Sequence, residues 1–367
     1  MINVTKPGLP LLEKYVEYLQ KIWDAGWLTN DGELLRLLEQ NLEESLGVQN
    51  IITVCNGALG LHLVIKALGI KGEVITTPFS FATSTNVIVW EGCTPVFADI
   101  DPYTFNIDPE DVENKITENT TAILAVHVYG NPCDVDALQE IASRHNLKLI
   151  YDAAHAFGVK INGDSVLTYG DAAVLSFHAT KFFHTIEGGA VIARDQEIVE
   201  KLKLLRNHGI KSEFEVPLAG TNAKMNEFQA AMGLCNLDTV AFCLESRRRI
   251  SETYKHGLPE LLQFQKIEAS TYNYSYMPVL LPDKKARDGL YEVMIDNGIK
   301  PRKYFYPIIP DFGYLKTDGI DLDKKKDDLT NARDVADRIL CLPIYPELSL
   351  AEVEIIIGIA DKYLRQS

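Results

Sequence analysis

Near the start of the chain, apolar positions recur every three or four residues. Over Leu12–Ala25 they fall at Leu12, Tyr15, Val16, Leu19, Ile22 and Trp23, and Gly32–Leu46 repeats the pattern. That spacing predicts two amphipathic helices behind an extended, proline-bearing arm. The turn between them contains Trp27, Thr29 and Asp31. Either it only joins the helices, with Asp31 capping the second, or it places Trp27 and Thr29 near a ligand. From Ile51 the rhythm changes. Short apolar runs at Ile51–Val54, Val74–Thr77, Val96–Ala98, Ala122–Val128 and Leu147–Tyr151 alternate with helical stretches at Leu59–Leu68, Phe79–Glu91 and Val135–His145. Two more runs, Ala172–Leu175 and Val191–Ala193, enclose the segment SFHATKFFHTIEGGA, Ser176–Ala190. This alternation predicts an α/β fold, a three-layer domain with a mixed, mostly parallel sheet. Ligands of such sheets bind at the carboxyl ends of the strands, where Asn56, Asp152 and Ser176 fall.

Residues 220–255 predict one long helix with Asn226 near its start, and Arg247-Arg248-Arg249 reads as a solvated face of it. Beyond it, a strand over Tyr274–Leu281 and helices over Ala286–Asn297 and Ala351–Leu364 predict a smaller α/β domain. The division expected is 1–250 for the arm and large domain and 251–367 for the small C-terminal domain. The charged segment Asp318–Asp328 is expected to be an exposed loop.

Composition narrows the function more than the fold. The chain has 367 residues and a formal net charge of −15, without the basic stripe of a nucleic-acid binder. No apolar run reaches the ~20 residues that span a bilayer. The six cysteines form no C-x-x-C and no zinc pattern, so no metal is expected and the thiols read as reduced, in a cytoplasmic protein.

Three stretches carry candidate chemistry. Asn56-Gly57-Ala58 lies between a strand and a helix, as either a plain turn or a cradle where backbone N–H groups meet an anion. Asp152 ends a buried strand, as either a helix cap or the partner of a pyridinium nitrogen. Lys181 follows Ser176 among apolar and aromatic neighbours, and a desolvated lysine is nucleophilic towards carbonyls. Together these meet the needs of pyridoxal 5′-phosphate: an anion cradle, a carboxylate for the ring nitrogen and an amine for the aldehyde. Phe79 and Phe81 are candidates to cover the ring. The segment Arg302–Pro307, with Tyr304 and Tyr306, is either a solvated connection or a face for a phosphate and a sugar.

Taken together, Gly26-Trp27-Leu28-Thr29, Asn56-Gly57-Ala58, Thr77–Thr83, Asp152-Ala153-Ala154-His155-Ala156, Ser176–Lys181, Glu187-Gly188-Gly189 and Met225–Ala231 resemble the DegT/StrS family of pyridoxal-phosphate-dependent nucleotide-sugar aminotransferases, nearly over the full length. The resemblance implies fold type I, the aspartate aminotransferase-like fold. It implies that Lys181 forms the Schiff base and shuttles the proton, that Asp152 pairs with the ring nitrogen, and that His155 sits beside O3′. Phe81 would stack on the ring, and Gly57, Ala58 and Ser176 would hold the phosphate. Asn226 would reach it from a partner subunit, which implies a homodimer with shared sites. Ala58 departs from the Ser or Thr common in the family. Lys181 stands where a dehydratase branch carries histidine, which favours transamination, with the cofactor alternating between pyridoxal and pyridoxamine phosphate. SFHATK, HTIEGG and KMNEFQAAMG resemble members that aminate dTDP-4-keto-6-deoxy-D-glucose with L-glutamate for surface polysaccharide or glycan synthesis. A 3-keto-sugar aminotransferase or a non-enzymatic regulatory protein on the same fold are the alternatives. Trp27, Thr29, His184, Lys211, Tyr304 and Tyr306 are the candidate substrate contacts.

Overall fold

The structure is a computed structural model that describes residues 1–317 and 328–366. The expected loop at Asp318–Asp328 therefore lies, but for Asp328, outside the described residues. A seven-stranded sheet organises the first two-thirds of the chain. Its spatial order is Ile51–Val54, Gly189–Ala193, Ala172–Ser176, Lys148–Asp152, Thr120–Val126, Glu73–Thr76 and Thr94–Phe97. Only Gly189–Ala193 runs antiparallel, to both its neighbours. Burial on both faces explains why these strands read as unbroken apolar runs. Leu149 and Tyr151 pack into one core cluster and Ile150 into the other, on opposite faces of the sheet.

The register gathers the strand ends along one edge. Val126 stands opposite Asp152, Asp152 opposite Val174, Ser176 opposite Gly189, and Gly189 opposite Val54. A three-stranded antiparallel sheet, Gln263–Phe264, Met277–Leu280 and Ile339–Leu342, lies further along the chain. Helices Lys284–Asp296 and Leu350–Leu364 close a third cluster over it. The N-terminal arm reaches across: Ile2–Asn3 pairs in parallel with Ile299–Lys300. The helix Val240–Gly257 passes through position 250 without a break.

Several sequence expectations are corrected. The long helix over 220–255 is two helices, Glu227–Leu237 and Val240–Gly257. Asn226 is extended and caps the first through a reciprocal pair with Gln229, so the helix cannot start earlier. The Thr239 hydroxyl donates to the Asn236 carbonyl, satisfying an acceptor that the break exposes. Arg247 is not solvated. Three consecutive helical residues point about 100° apart, and this one turns inward, donating to the carbonyls of Tyr274, Ser275 and Ile344. The helix expected from Phe79 begins at Thr83. Phe79 itself is fully buried against Phe105, Tyr129 and Phe305, which leaves Phe81 alone exposed.

Asp31 does not cap the second helix. It sits at φ 61° and stays exposed, and Gly32 takes the cap position. The orphan donors of that helix go to a residue far along the chain. The buried Glu227 carboxylate accepts the Leu34 N–H at 2.9 Å and the Leu35 N–H at 3.0 Å. A Cβ on Gly32 would lie 2.3 Å from the Glu227 carboxyl carbon, which explains the glycine. Glu227→Ala is expected to destabilise the protein by about 1–3 kcal/mol, because two buried N–H groups lose a charged acceptor. Denaturant unfolding measures this, and an unchanged midpoint would refute it.

Candidate active site

The site stands where the strand ends converge. The strand Ala172–Ser176 ends in a polar residue. The chain then loops through Lys181 and returns as Gly189–Ala193. Backbone bonds close the loop: Phe177 N–H to Gly188 O at 2.8 Å, Thr185 N–H to Phe177 O at 2.9 Å, and Lys181 N–H to His178 O at 2.8 Å. Packed rings anchor it from behind, with Phe183 stacked on Phe157 at 4.6 Å and edge-on to Phe177 at 4.9 Å. Lys181 is held on this frame. Part of the residue meets solvent, but its amine is enclosed, and desolvation lowers its pKa to about 8. Asp152 pulls the other way, and Arg302 adds a smaller downward push.

Asp152 ends its strand as a buried carboxylate. Desolvation raises its pKa, while hydrogen bonds and Lys181 oppose the rise. Oδ2 accepts the Ser84 hydroxyl at 2.7 Å, and Oδ1 accepts the Ala154 N–H at 3.1 Å. His155 is buried beside it, and burial holds its pKa well below the usual imidazole range. Its Nδ1 accepts the Tyr129 N–H at 3.2 Å, which leaves the ring proton on Nε2. Tyr129 reaches this bond from a left-handed backbone, φ 59°, a conformation that strains a non-glycine residue. Asn273 ties down the His155 carbonyl at 2.8 Å, and the Tyr276 ring covers His155 at 4.7 Å.

The third wall is the start of helix Gly57–Ala67. Asn56 caps it, accepting the Leu59 N–H at 2.9 Å. The first N–H groups of a helix have no internal acceptor and carry partial positive charge. The helix start lies tight over the strand ends. A Cβ on Gly57 would come 3.2 Å from Ser176 Cβ, and one on Gly189 would come 2.8 Å from the Gly57 nitrogen. Ala154, His155, Ser176, Lys181 and Tyr276 line one small cleft. The donor set fits pyridoxal 5′-phosphate: a helix N-terminus and a hydroxyl for the phosphate, a buried carboxylate for the ring nitrogen, an imidazole N–H, and a desolvated amine.

The remaining predicted residues stand elsewhere. Phe81 and Trp27 are each 54% exposed on the single chain, and Thr29 is exposed. Leu28 O accepts the Glu227 N–H at 3.0 Å, so the Trp27–Thr29 turn lies beside Asn226. His184 is buried, with Nε2 at 2.7 Å from Gly8 O. Lys211 is exposed and pairs with Glu215 at 2.8 Å. Tyr304 packs 6.0 Å from Tyr276 and lies under the Arg302 guanidinium at 4.3 Å. Tyr306 is held between Lys284 and Arg287. Ser84, Tyr129 and Tyr276 escaped the sequence reading. Ser84 stands in a run of three hydroxyl residues, Thr83-Ser84-Thr85, and nothing in the sequence singles it out.

The model of the DegT/DnrJ/EryC1/StrS aminotransferase family matches residues 11–360. A dTDP-4-amino-4,6-dideoxy-D-glucose transaminase of Shigella dysenteriae is 44% identical, over 97% of either chain. One of Escherichia coli is 42% identical, over 95% of either chain. The crystal structure of DesI, analysed in the presence of its TDP-sugar product, superposes with a TM-score of 0.91 at 32% identity, over 100% of this chain and 95% of the other. The fold, the convergence of Lys181 with Asp152 and the match along almost the whole sequence lead to one assignment: the chain belongs to the DegT/DnrJ/EryC1/StrS family of pyridoxal-phosphate-dependent aminotransferases.

Proposed function

We propose that this chain moves the amino group of L-glutamate to the keto carbon of a nucleotide-linked deoxysugar, dTDP-4-keto-6-deoxy-D-glucose, giving the 4-amino sugar for surface polysaccharide or glycan synthesis. The observation that supports the reading is an enclosed lysine amine and a buried carboxylate that bias each other's charge, beside a helix start whose Gly57 packs on Ser176. When bound, pyridoxal 5′-phosphate supplies the aldehyde that exchanges one amine for another and a ring that takes up an electron pair. Lys181 Nζ is the nucleophile towards that aldehyde and, once released, the base that takes the proton from the donor's Cα. Asp152 would keep the ring nitrogen protonated. The Nε2–H of His155 would donate to the phenolic oxygen. The N–H groups of Gly57 and Ala58 and the Ser176 hydroxyl would hold the phosphate. In the second half-reaction Lys181 would deliver a proton to the former keto carbon of the sugar; the oxygen gained by 2-oxoglutarate comes from water and the keto oxygen of the sugar leaves as water, so the two half-reactions balance.

A homodimer fits this reading. A second subunit would cover the exposed Phe81 and Trp27 and bring its own Asn226 to the phosphate. Free thiols support a cytoplasmic setting. Trp27, Thr29, Tyr304 and Tyr306 remain candidate sugar-nucleotide contacts. His184 and Lys211 would first have to leave the Gly8 carbonyl and Glu215.

Lys181→Ala and Lys181→Arg are expected to lower turnover by more than about a thousandfold. Substantial activity in either would sink the assignment. The pH dependence follows from the lowered amine. Below its pKa of about 8 Lys181 is mostly protonated, so condensation of the cofactor-free protein with pyridoxal phosphate should quicken about tenfold per pH unit up to pH 8 and then level off. Stopped-flow absorbance reads this, and a rate still climbing steeply to pH 10 would show an ordinary lysine. Product NMR should find the dTDP-4-keto sugar aminated and the dTDP-3-keto sugar untouched. The reverse preference would move the activity to the 3-position.

A further inference from the structure

Asp152 can serve a cationic ring only as a carboxylate, yet it is buried where water cannot solvate the charge. Its protein donors are therefore part of its chemistry. One is the backbone N–H of Ala154, which comes with the turn after the strand. The other is a side chain from a different element. Ser84 lies in the first turn of helix Thr83–Trp90, is 1% exposed, and donates to Oδ2 at 2.7 Å. Its only proton is used there. The 3.0 Å contact between the Ser80 and Ser84 oxygens must then run from Ser80 to Ser84. Ser80 is also buried. The result is a relay of two hydroxyls, Ser80 to Ser84 to Asp152, with one direction.

We propose that Ser84 is a positioning residue for the reaction: oriented by Ser80, it fixes the Asp152 carboxylate and keeps it ionised against the burial that would neutralise it. This rests on the aminotransferase reading of the site. The other titratable groups facing Asp152 are few. Lys181 is the cation, and its charge also favours the carboxylate. His155 and His127, the latter tied to this strand by its backbone N–H donating to the Asp152 backbone carbonyl, are both held neutral by burial. Arg302 acts on Lys181 from the segment beyond Ile299–Lys300. Among the described residues, loss of the Ser84 donor thus leaves the Ala154 N–H and the Lys181 charge to oppose desolvation at this carboxyl.

The test is the dissociation constant of pyridoxal 5′-phosphate, measured by absorbance titration from pH 5.5 to 8.5, for the wild-type protein and its variants. The sign follows from the donor: without it Asp152 takes up a proton at higher pH, so cofactor affinity fails sooner on acidification. Ser84→Ala should move the acid limb up by about one pH unit and bind about as well as wild type at pH 8.5. Ser84→Thr should restore the wild-type profile, and Ser80→Ala, which leaves the final donor in place, should shift it less than Ser84→Ala. Ser84→Cys, close in volume with a weaker donor, repeats the comparison if alanine disturbs the packing. A Ser84→Ala profile that superimposes on wild type, or a loss of affinity equal at every pH, would overturn the inference and leave the aminotransferase reading intact. A wild-type protein that binds no pyridoxal phosphate would overturn that reading and this inference with it.

Discussion

Two groups that ionise with opposite sign, Asp152 and Lys181, lie poorly solvated within reach of each other's field, and neither is comfortable there. Burial drives the carboxyl towards its acid form and the amine towards its neutral form. Each favours the charge of the other, so the pair is coupled, and small changes in hydrogen bonding decide how much charge it carries. The surroundings are arranged around this conflict. Donors converge on Asp152, His155 is held uncharged, and packed phenylalanines fix the loop that carries Lys181. A lysine in water is almost wholly protonated near neutral pH; here burial lowers the amine's pKa to about 8, so a larger share of it is free.

The sheet explains why these residues meet. Parallel strands place all their carboxyl ends on one edge, so residues far apart in sequence arrive there together. The single antiparallel strand, Gly189–Ala193, starts at that same edge. It brings a glycine where the helix start at Gly57 leaves no room for a side chain.

The strands and the central chemistry were legible because they follow strong local rules. Apolar runs buried on both faces identify strands, and Asp152 and Ser176 stand just where such runs end, with Lys181 on the loop beyond. What escaped depends on contacts between distant segments. Asp31 had the composition of a cap, but Glu227 supplies the capping carboxylate from nearly two hundred residues away. Arg247 looked like one of three surface charges until the carbonyls of Tyr274, Ser275 and Ile344 gave it a buried place. Periodicity ran across Leu237 into Val240, but the Thr239 hydroxyl, donating to the Asn236 carbonyl, marks a break that hydrophobic spacing does not register. Phe79 and Phe81 differ by two positions, and only the aromatic cluster of Phe105, Tyr129 and Phe305 tells which one is core.

Ser176 and Gly189 are neighbours across two hydrogen-bonded strands, and Lys181 sits on the loop that joins them. The Lys181 amine and the Ser176 hydroxyl are thus parts of one hairpin. Their separation is set by a short stretch of backbone and not by how distant parts of the chain dock. Breathing of the molecule as a whole would carry both together. The distance between that amine and that hydroxyl is therefore built into local geometry, and it can be kept intact while the surrounding loops diverge.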